Sequence, residues 1–302
     1  MDRLDALKVF CSVVDAGGFS RAADRLGIST SSVTNQVAAL EARFRVKLLH
    51  RTTRSMSLTD EGRQCYDNAV RLLGDMNELE EALRHSTAAP SGLLRVDMPA
   101  IIGNQIVAPA LPFFLRDYPE ITVRMSANDR LVDMVEEGID VLVRIGNLSD
   151  SRLVAQHLAS TSYVCCAAPD YLARCGSPVS PADLVAHDCL NFIYPKSRRI
   201  RPWYFQQDGQ SSSLAMPGVF ATDHVESLIA AATAGGGIIQ VLSLSVEDKL
   251  ASGALVALLG ETMAPGPDVT VICQQRHLRA AKVKVFAEFL HAVFSQHVRK
   301  PG

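Results

Sequence analysis

The feature that most constrains this chain lies near its start. Two short helical patterns flank a glycine, and the second presents an outer face of small uncharged polar residues. Leu4, Leu7, Cys11 and Val14 recur at three- and four-residue steps, which predicts a first helix ending at Gly17-Gly18. Ser20 is the expected N-cap of a second helix that turns Ala22, Ala23 and Leu26 inward and stops at Gly27. Ser29 should cap a third, with a core face of Val33, Val37, Leu40 and Phe44. Two short helices joined by a glycine turn make a helix-turn-helix.

At 100° per residue, positions two away from the core stripe point nearly opposite to it. Those positions are Ser31, Asn35 and Ala38, flanked by Thr30, Thr34 and Gln36. An Asn or Gln amide can grip adenine with two hydrogen bonds, and a Thr methyl can pack on the thymine methyl. A plain solvated face is the competing reading. It would favour Lys, Glu and Arg, which are better helix formers than Ser, Thr and Asn. The next segment, Leu48 to Thr59, reads as a β-hairpin wing with Arg51 and Arg54 at its tip, suited to phosphates or a narrow minor groove. The expected DNA-contacting set is Arg21, Ser29, Thr30, Ser31, Thr34, Asn35, Gln36, Arg51, Thr53 and Arg54.

Charge distribution agrees. The net charge is −2, but residues 1–58 hold nine bases against five acids, a local +4 that leaves −6 for the rest. A basic head on an acidic body confines phosphate affinity to one end.

The runs Phe19–Leu26, Ser29–Glu41, Leu48–Arg54 and Leu58–Gly62 closely resemble the LysR-type transcriptional regulators. Two positions depart from the usual pattern: Arg45 stands where glycine is common, and Leu49 where phenylalanine is common. The resemblance implies sequence-specific binding to double-stranded DNA at an interrupted palindrome, modulated by a small-molecule effector. It also implies a homodimer, extended to a homotetramer.

Thr59 should cap a long helix from Asp60 to His85, roughly 40 Å at 1.5 Å per residue, with Asp60 and Glu61 at its positive end. Its apolar seam is Tyr66, Ala69, Leu73, Met76, Leu79 and Leu83. The expectation is that this seam meets a partner chain, as the family's linker helix does; packing on its own domain is the alternative. Thr87 to Gly92 is small and breaker-rich, a hinge.

From Leu93 on, strand-like runs (Leu93–Val96, Ile121–Met125, Val141–Ile145, Tyr163–Ala167, Gly237–Leu242, Val269–Cys273) alternate with helix-like ones (Gln105–Arg116, Leu131–Glu137, Val225–Ala234, Ala280–His297). That is an α/β body with mixed sheets. Val135–Val141 and Val143–Gly146 resemble the family's effector domain, similar to type 2 periplasmic binding proteins. The resemblance implies two subdomains, about 93–161 with 267–302 and about 162–266, with two crossings between them. The expected organisation is a winged helix-turn-helix over 1–58, a linker helix and hinge over 59–92, and an effector-binding domain over 93–302. A length of 302 residues allows two or three such domains.

By position, the effector pocket should include Pro99, Ala100, Ile101, Asn128, Arg144, Trp203, Asp223 and His224. The loop Met98 to Ile102 is wholly apolar, which points to an apolar or aromatic ligand. Lys196, Arg198, Arg199 and Arg201 form a basic cluster that either attracts an anionic effector or is a solvated loop.

Other chemistries find little support. Gly235-Gly236-Gly237 falls between helix and strand, the reverse of a phosphate loop. Seven irregularly spaced cysteines give neither a disulfide framework nor zinc spacing, and Cys165-Cys166 falls in a buried-strand pattern. There is no Gly-x-Ser-x-Gly elbow and no acid–base constellation, so no enzyme activity, cofactor or metal is expected. The acidic N-terminus lacks a secretory pattern and no apolar run approaches the roughly 20 residues of a membrane span, so a cytoplasmic protein is expected.

Overall fold

The computed structural model describes residues 3–51, 56–83, 89–130, 132–134, 136–146, 153–207, 209–274 and 280–298. The chain divides into an N-terminal head and a larger body.

In the head, α1 (Arg3–Ala16) buries Ala6, Val9, Phe10 and Val13 against Val33, Val37 and Leu40 of α3 (Thr30–Phe44). The inner stripe is therefore turned from the expected one: Leu7 and Val14 are half-buried at its flank. α1 packs against several neighbours, so it buries a wide face that no single four-residue stripe describes. α2 (Phe19–Leu26) begins one residue before the expected cap, with Gly18 at the N-cap and Ala22 N–H donating to the Gly18 carbonyl. Ala22 and Ala23 are buried, whereas Leu26 is exposed. Gly27 ends the helix at φ 66°, a conformation open to glycine at no steric cost. Ser29 caps α3, its hydroxyl accepting the Ser32 N–H at 3.1 Å. Phe44, expected inside, is 46% exposed because α3 runs on past the edge of the core. The helix closes at Arg45 in the left-handed region (φ 58°), which explains why glycine suits this position.

Glu41 is the polar pin of the head. Its buried carboxylate accepts the Leu48 and Leu49 N–H groups at 3.0 and 3.3 Å and pairs with Lys47 at 3.1 Å. It thereby ties α3 to β1 (Leu49–Arg51), which pairs antiparallel with β2 (Met56–Leu58) as a wing. Thr59 then donates to the Lys47 carbonyl and caps α4 (Asp60–Leu83) by accepting the Gly62 N–H at 2.8 Å. The apolar seam of α4 does not wait entirely for a partner. Ala69 is buried in the head core, and Tyr66, Val70 and Leu73 pack against it, with the Tyr66 hydroxyl bonded to Asp15. Leu72, off that seam, stays 51% exposed.

The body is a two-lobed α/β structure. One sheet takes β3 (Gly92–Met98), β4 (Ile121–Ala127), β5 (Val141–Ile145), β6 (Leu153–Ala159) and β14 (Val269–Gln274) in the order β4-β3-β5-β14-β6. β3 is parallel to β4 and β5, and β14 is antiparallel to β5 and β6. A helical stretch covers it: α5 (Ala100–Ile102), a π turn over Gly103–Val107, then α6 (Ala108–Asp117). Phe114 of α6 meets Phe286 and Phe289 of α10 (Ala281–Val298) at 5.2 and 4.9 Å between ring centres. The helix expected over Leu131–Glu137 is absent from the described residues there, which form turns closed by Ile139 N–H on the Met134 carbonyl.

The second sheet contains β7 (Tyr163–Ala167), β8 (Cys189–Phe192), β11 (Phe220–Thr222), β12 (Ile238–Leu242) and β13 (Val256–Leu258), ordered β11-β8-β12-β7-β13. A hairpin of β9 (Trp203–Gln207) and β10 (Gln210–Leu214) accompanies it, with α7 (Pro169–Cys175), α8 (Val225–Thr233) and α9 (Glu247–Ala251). The chain passes between lobes twice, after β6 and before β14. No helix among the described residues is long and apolar enough to cross a membrane.

Candidate DNA interface and ligand cleft

On α3 the expected outer face is outermost: Thr30, Ser31, Asn35 and Ala38 are exposed, and Thr34 and Gln36 are half-buried. Their hydrogen bonds sort them further. Thr34 folds its hydroxyl back onto the Thr30 carbonyl at 2.8 Å, and the Ser29 and Ser31 hydroxyls meet at 2.9 Å. Gln36 reaches Ser32 at 3.4 Å through its NH₂, while its carbonyl oxygen is buried without a partner. Arg21 donates to the Gly17 carbonyl. Asn35 alone of the central pair of amides is exposed, and it makes no hydrogen bond among the described residues. In the wing, the Arg51 backbone belongs to β1; its side chain, Thr53 and Arg54 lie outside the described residues.

In the body, a cavity of about 350 Å³ opens between the lobes. The first lobe contributes Pro99, Ile101, Asn128, Asp129 and Arg144; the second contributes Tyr163, Phe192, Arg201, Leu228 and Val241. Asn128 and Arg144 share one anchor, the buried Asp97, with Arg144 at 2.8 Å and Asn128 at 3.3 Å. The Arg144 charge is thus already neutralised. Ala100 is buried beside the wall and gives its N–H to Asp129 at 3.3 Å, but does not line the cavity. Asp223 pairs with Arg198 at 2.7 Å outside the lining.

His224 also lies outside the lining, in a group with Asp129 and Glu226 whose ligand atoms fall within 4.8 Å of one another. Such a set has the donor chemistry of a cation site, and cysteine spacing gave no hint of it. Burial, with Glu226 nearby, raises the Asp129 pKa from its ordinary value.

Trp203 must be reassigned. It is 1% exposed in the core of the second lobe with Tyr171, Phe205 and Ile238, and its ring N–H donates to Asn191 at 2.9 Å. Its place at the start of β9 faces it into that core, which its loop-like sequence surroundings did not disclose.

Arg201, grouped in sequence with a basic loop, proves unlike its neighbours. Arg198 and Arg199 are exposed, whereas Arg201 is 9% exposed and lines the cavity. Its guanidinium lies over Tyr163 at 5.1 Å and Phe192 at 5.5 Å and donates to the Gln240 carbonyl. Its Nε is buried without a partner. The clue available in sequence was its position flanked by Ile200 and Pro202 rather than by polar residues. The adjacent pair Cys165 and Cys166 is fully buried, and burial pushes the Cys166 thiol up to about 12.

A capped helix-turn-helix with a wing, fused to two α/β lobes around a cleft, defines a DNA-binding head on a ligand-binding body. Comparison with known proteins supplies the family. Residues 4–63 match the bacterial regulatory helix-turn-helix of the lysR family, and residues 87–295 match the LysR substrate binding domain. The chain is 34% identical to the HTH-type transcriptional regulator DmlR of Escherichia coli, covering 97% of this chain and 95% of that protein. It is 36% identical to the HTH-type transcriptional repressor PA14_22550 of Pseudomonas aeruginosa, covering 98% and 94%. Among solved structures, CrgA of Neisseria meningitidis, a LysR-type transcriptional regulator, matches at 32% identity with a TM-score of 0.64, over 96% of this chain and 98% of that one. The protein belongs to the LysR family of DNA-binding transcriptional regulators.

Proposed function

We propose that α3 reads operator bases through Asn35 while the wing, with Arg51 and Arg54, positions the head on phosphates or in the minor groove. The observation that carries this is the exposed Asn35 amide, without a hydrogen bond among the described residues, on the outer face of a helix capped by Ser29. Arg21, Ser29, Thr30, Ser31, Thr34, Gln36 and Thr53 complete the contact surface. The part of the α4 seam beyond the head core, Met76, Leu79 and Leu83, pairs two chains, and a second pairing through the body makes a tetramer. Operator symmetry then follows protein symmetry as an interrupted palindrome.

In the body, Pro99, Ile101, Asn128 and Arg144 line an effector cleft that binds its ligand without turning it over, with Ala100 behind the wall and Asp223 and His224 near its edge. Apolar lining from Ile101, Leu228 and Val241 supports an effector with an apolar or aromatic face. Closure around it changes DNA binding only if the two arrangements differ in ligand affinity. The protein acts in the cytoplasm, where its DNA target is.

A salt titration of variants on operator and scrambled DNA tests the head. Asn35→Ala should lower specific affinity by about 1–3 kcal/mol and leave scrambled DNA nearly unaffected. Arg51→Ala should weaken both and reduce the salt slope by about one per lost phosphate contact per protomer. Equal weakening on both DNAs for Asn35→Ala, with scrambled DNA spared by Arg51→Ala, would reverse the two roles.

A further inference from the structure

We propose that Asp129, His224 and Glu226 form a site for one divalent first-row transition-metal ion, which ties the two lobes together at the edge of the cleft.

The group is assembled from both sides. Asp129 follows β4 of the first lobe, whereas His224 and Glu226 open α8 in the second. One ligand atom from each lies within 4.8 Å of the others, the one such group of three among the described residues. Hydrogen bonds already hold its members in place. Glu226 accepts from the Asn104 side-chain amide of the first lobe at 3.5 Å, and its other oxygen lies 3.4 Å from His224 Nδ1. Asp129 accepts the Ala100 N–H through Oδ1 at 3.3 Å, while Oδ2 is buried with no hydrogen-bond partner. A buried carboxylate oxygen to which nothing donates is costly unless positive charge meets it. Arg144, on the same cavity wall, cannot serve because it is spent on Asp97 at 2.8 Å.

The donor set names the class of ion. An imidazole with two carboxylates suits Zn²⁺ and its first-row neighbours, whereas Mg²⁺ and Ca²⁺ favour oxygen alone. The α8 N-terminus adds a partial positive charge of about +0.5, which the two carboxylates outweigh. Entry is from the His224 side, where the imidazole is 59% exposed. Metal ligands sit about 2.1 Å from the ion, closer than the roughly 2.8 Å of a hydrogen-bonded water. An oxygen closed to water is therefore still open to a bare ion. Tetrahedral coordination needs ligand atoms roughly 3.4 Å apart, so loading draws the three side chains inward by about 1 Å. With one ligand in the first lobe and two in the second, a bound ion opposes opening of the cleft.

Calorimetric titration of the full chain with Zn²⁺, after chelator treatment and with Mg²⁺ as the comparison, tests the site. It needs no cleft ligand. A Cys175→Ser background removes the one exposed thiol. The expected result is one Zn²⁺ per chain, bound at least about 100-fold more tightly than Mg²⁺. His224→Ala and Asp129→Asn should each weaken zinc at least about 10-fold, the least that disturbing even an outer partner of a metal site costs. His224 is exposed and Asn keeps an acceptor for the Ala100 N–H, so both variants retain the fold. In the unsubstituted protein, zinc should slow amide hydrogen exchange both around residues 128–130 and around residues 224–228.

Each failure points to a different fault. No zinc binding, or Mg²⁺ bound as tightly, overturns the class of ion. Zinc that binds His224→Ala as well as the parent sits elsewhere, and the assignment falls. Zinc lost in His224→Ala but kept in Asp129→Asn, or exchange slowed on α8 alone, overturns the tie between the lobes.

Discussion

The α3 surface and the interlobe cleft are built in opposite ways. The proposed reading face spans Ser29 to Ala38, adjacent residues whose relative directions follow from helix periodicity alone. The cleft draws Pro99 from the end of β3, Asn128 after β4, Arg144 on β5, Arg201 before β9 and Leu228 on α8. No local rule brings those five together. One site tolerates change in the rest of the fold so long as its helix is capped, whereas the other depends on both sheets keeping register. The buried polar anchors differ accordingly: Glu41 pins backbone close to it in sequence, and Asp97 ties together β3, β5 and the end of β4.

The sharpest way to break this comparison is to destroy one region and assay the other. A Cβ at Gly62 would lie 1.9 Å from the Leu48 carbonyl oxygen, a backbone atom that cannot move aside. Gly62→Ala should therefore destabilise the head by about 3 kcal/mol or more and abolish operator binding. Ligand affinity at the cleft should stay within a factor of about three by calorimetry, inside the error of independent sites. A loss of ligand binding would show the regions to be one cooperative unit.

Glu41→Gln probes the head with a smaller effect, about 2 kcal/mol, because two amide donors lose a charged acceptor. Its pH dependence has a definite sign. Burial raises the Glu41 pKa, but the Leu48 and Leu49 amides and Lys47 together outweigh it, and the folded value lies below the ordinary 4.5. The stabilisation is then present above pH 4.5 and lost as pH falls through the folded value. Denaturant melts should show wild type and Glu41→Gln converging in acid and parting toward neutrality. A gap that stays constant with pH would mean that packing, not charge, fixes Glu41.

In the body, Trp203→Phe should cost about 1 kcal/mol for its bond to Asn191 and leave ligand affinity unchanged, since Trp203 belongs to the second-lobe core. A large drop in affinity would return Trp203 to the cleft. The smallest effect is expected at Arg45→Gly, which relieves a left-handed residue and should stabilise the head by about 1 kcal/mol or less, read as a rise in Tm.

How far the sequence carried the fold can be judged from particular elements. The strands Val141–Ile145 and Tyr163–Ala167 were legible to the residue because apolar and β-branched residues fill them, with Arg144 the one charged position. β10 was not, since Gln-Ser-Ser-Ser-Leu is exposed throughout and exists as a strand only by pairing with β9. β13 has three residues and depends likewise on β7. Ser29 and Thr59 were recognisable as caps, since a cap acts on amides two or three residues away.

Alone, the sequence determined what is decided within a few residues: the helix-turn-helix, its polar outer strip, the cap of α4 and the alternation of strands and helices. Helical and strand periodicity convert spacing directly into direction, so these needed no knowledge of distant neighbours. Only the tertiary structure decided which side of α1 faces inward, that the seam of α4 is partly used by its own head, that Trp203 is core, and that Arg201 differs from Arg198 three residues away. Burial is a property of what packs against a residue from elsewhere in the chain. For Arg201 those groups are Tyr163, Phe192 and Gln240, brought to it by sheet pairing rather than by sequence.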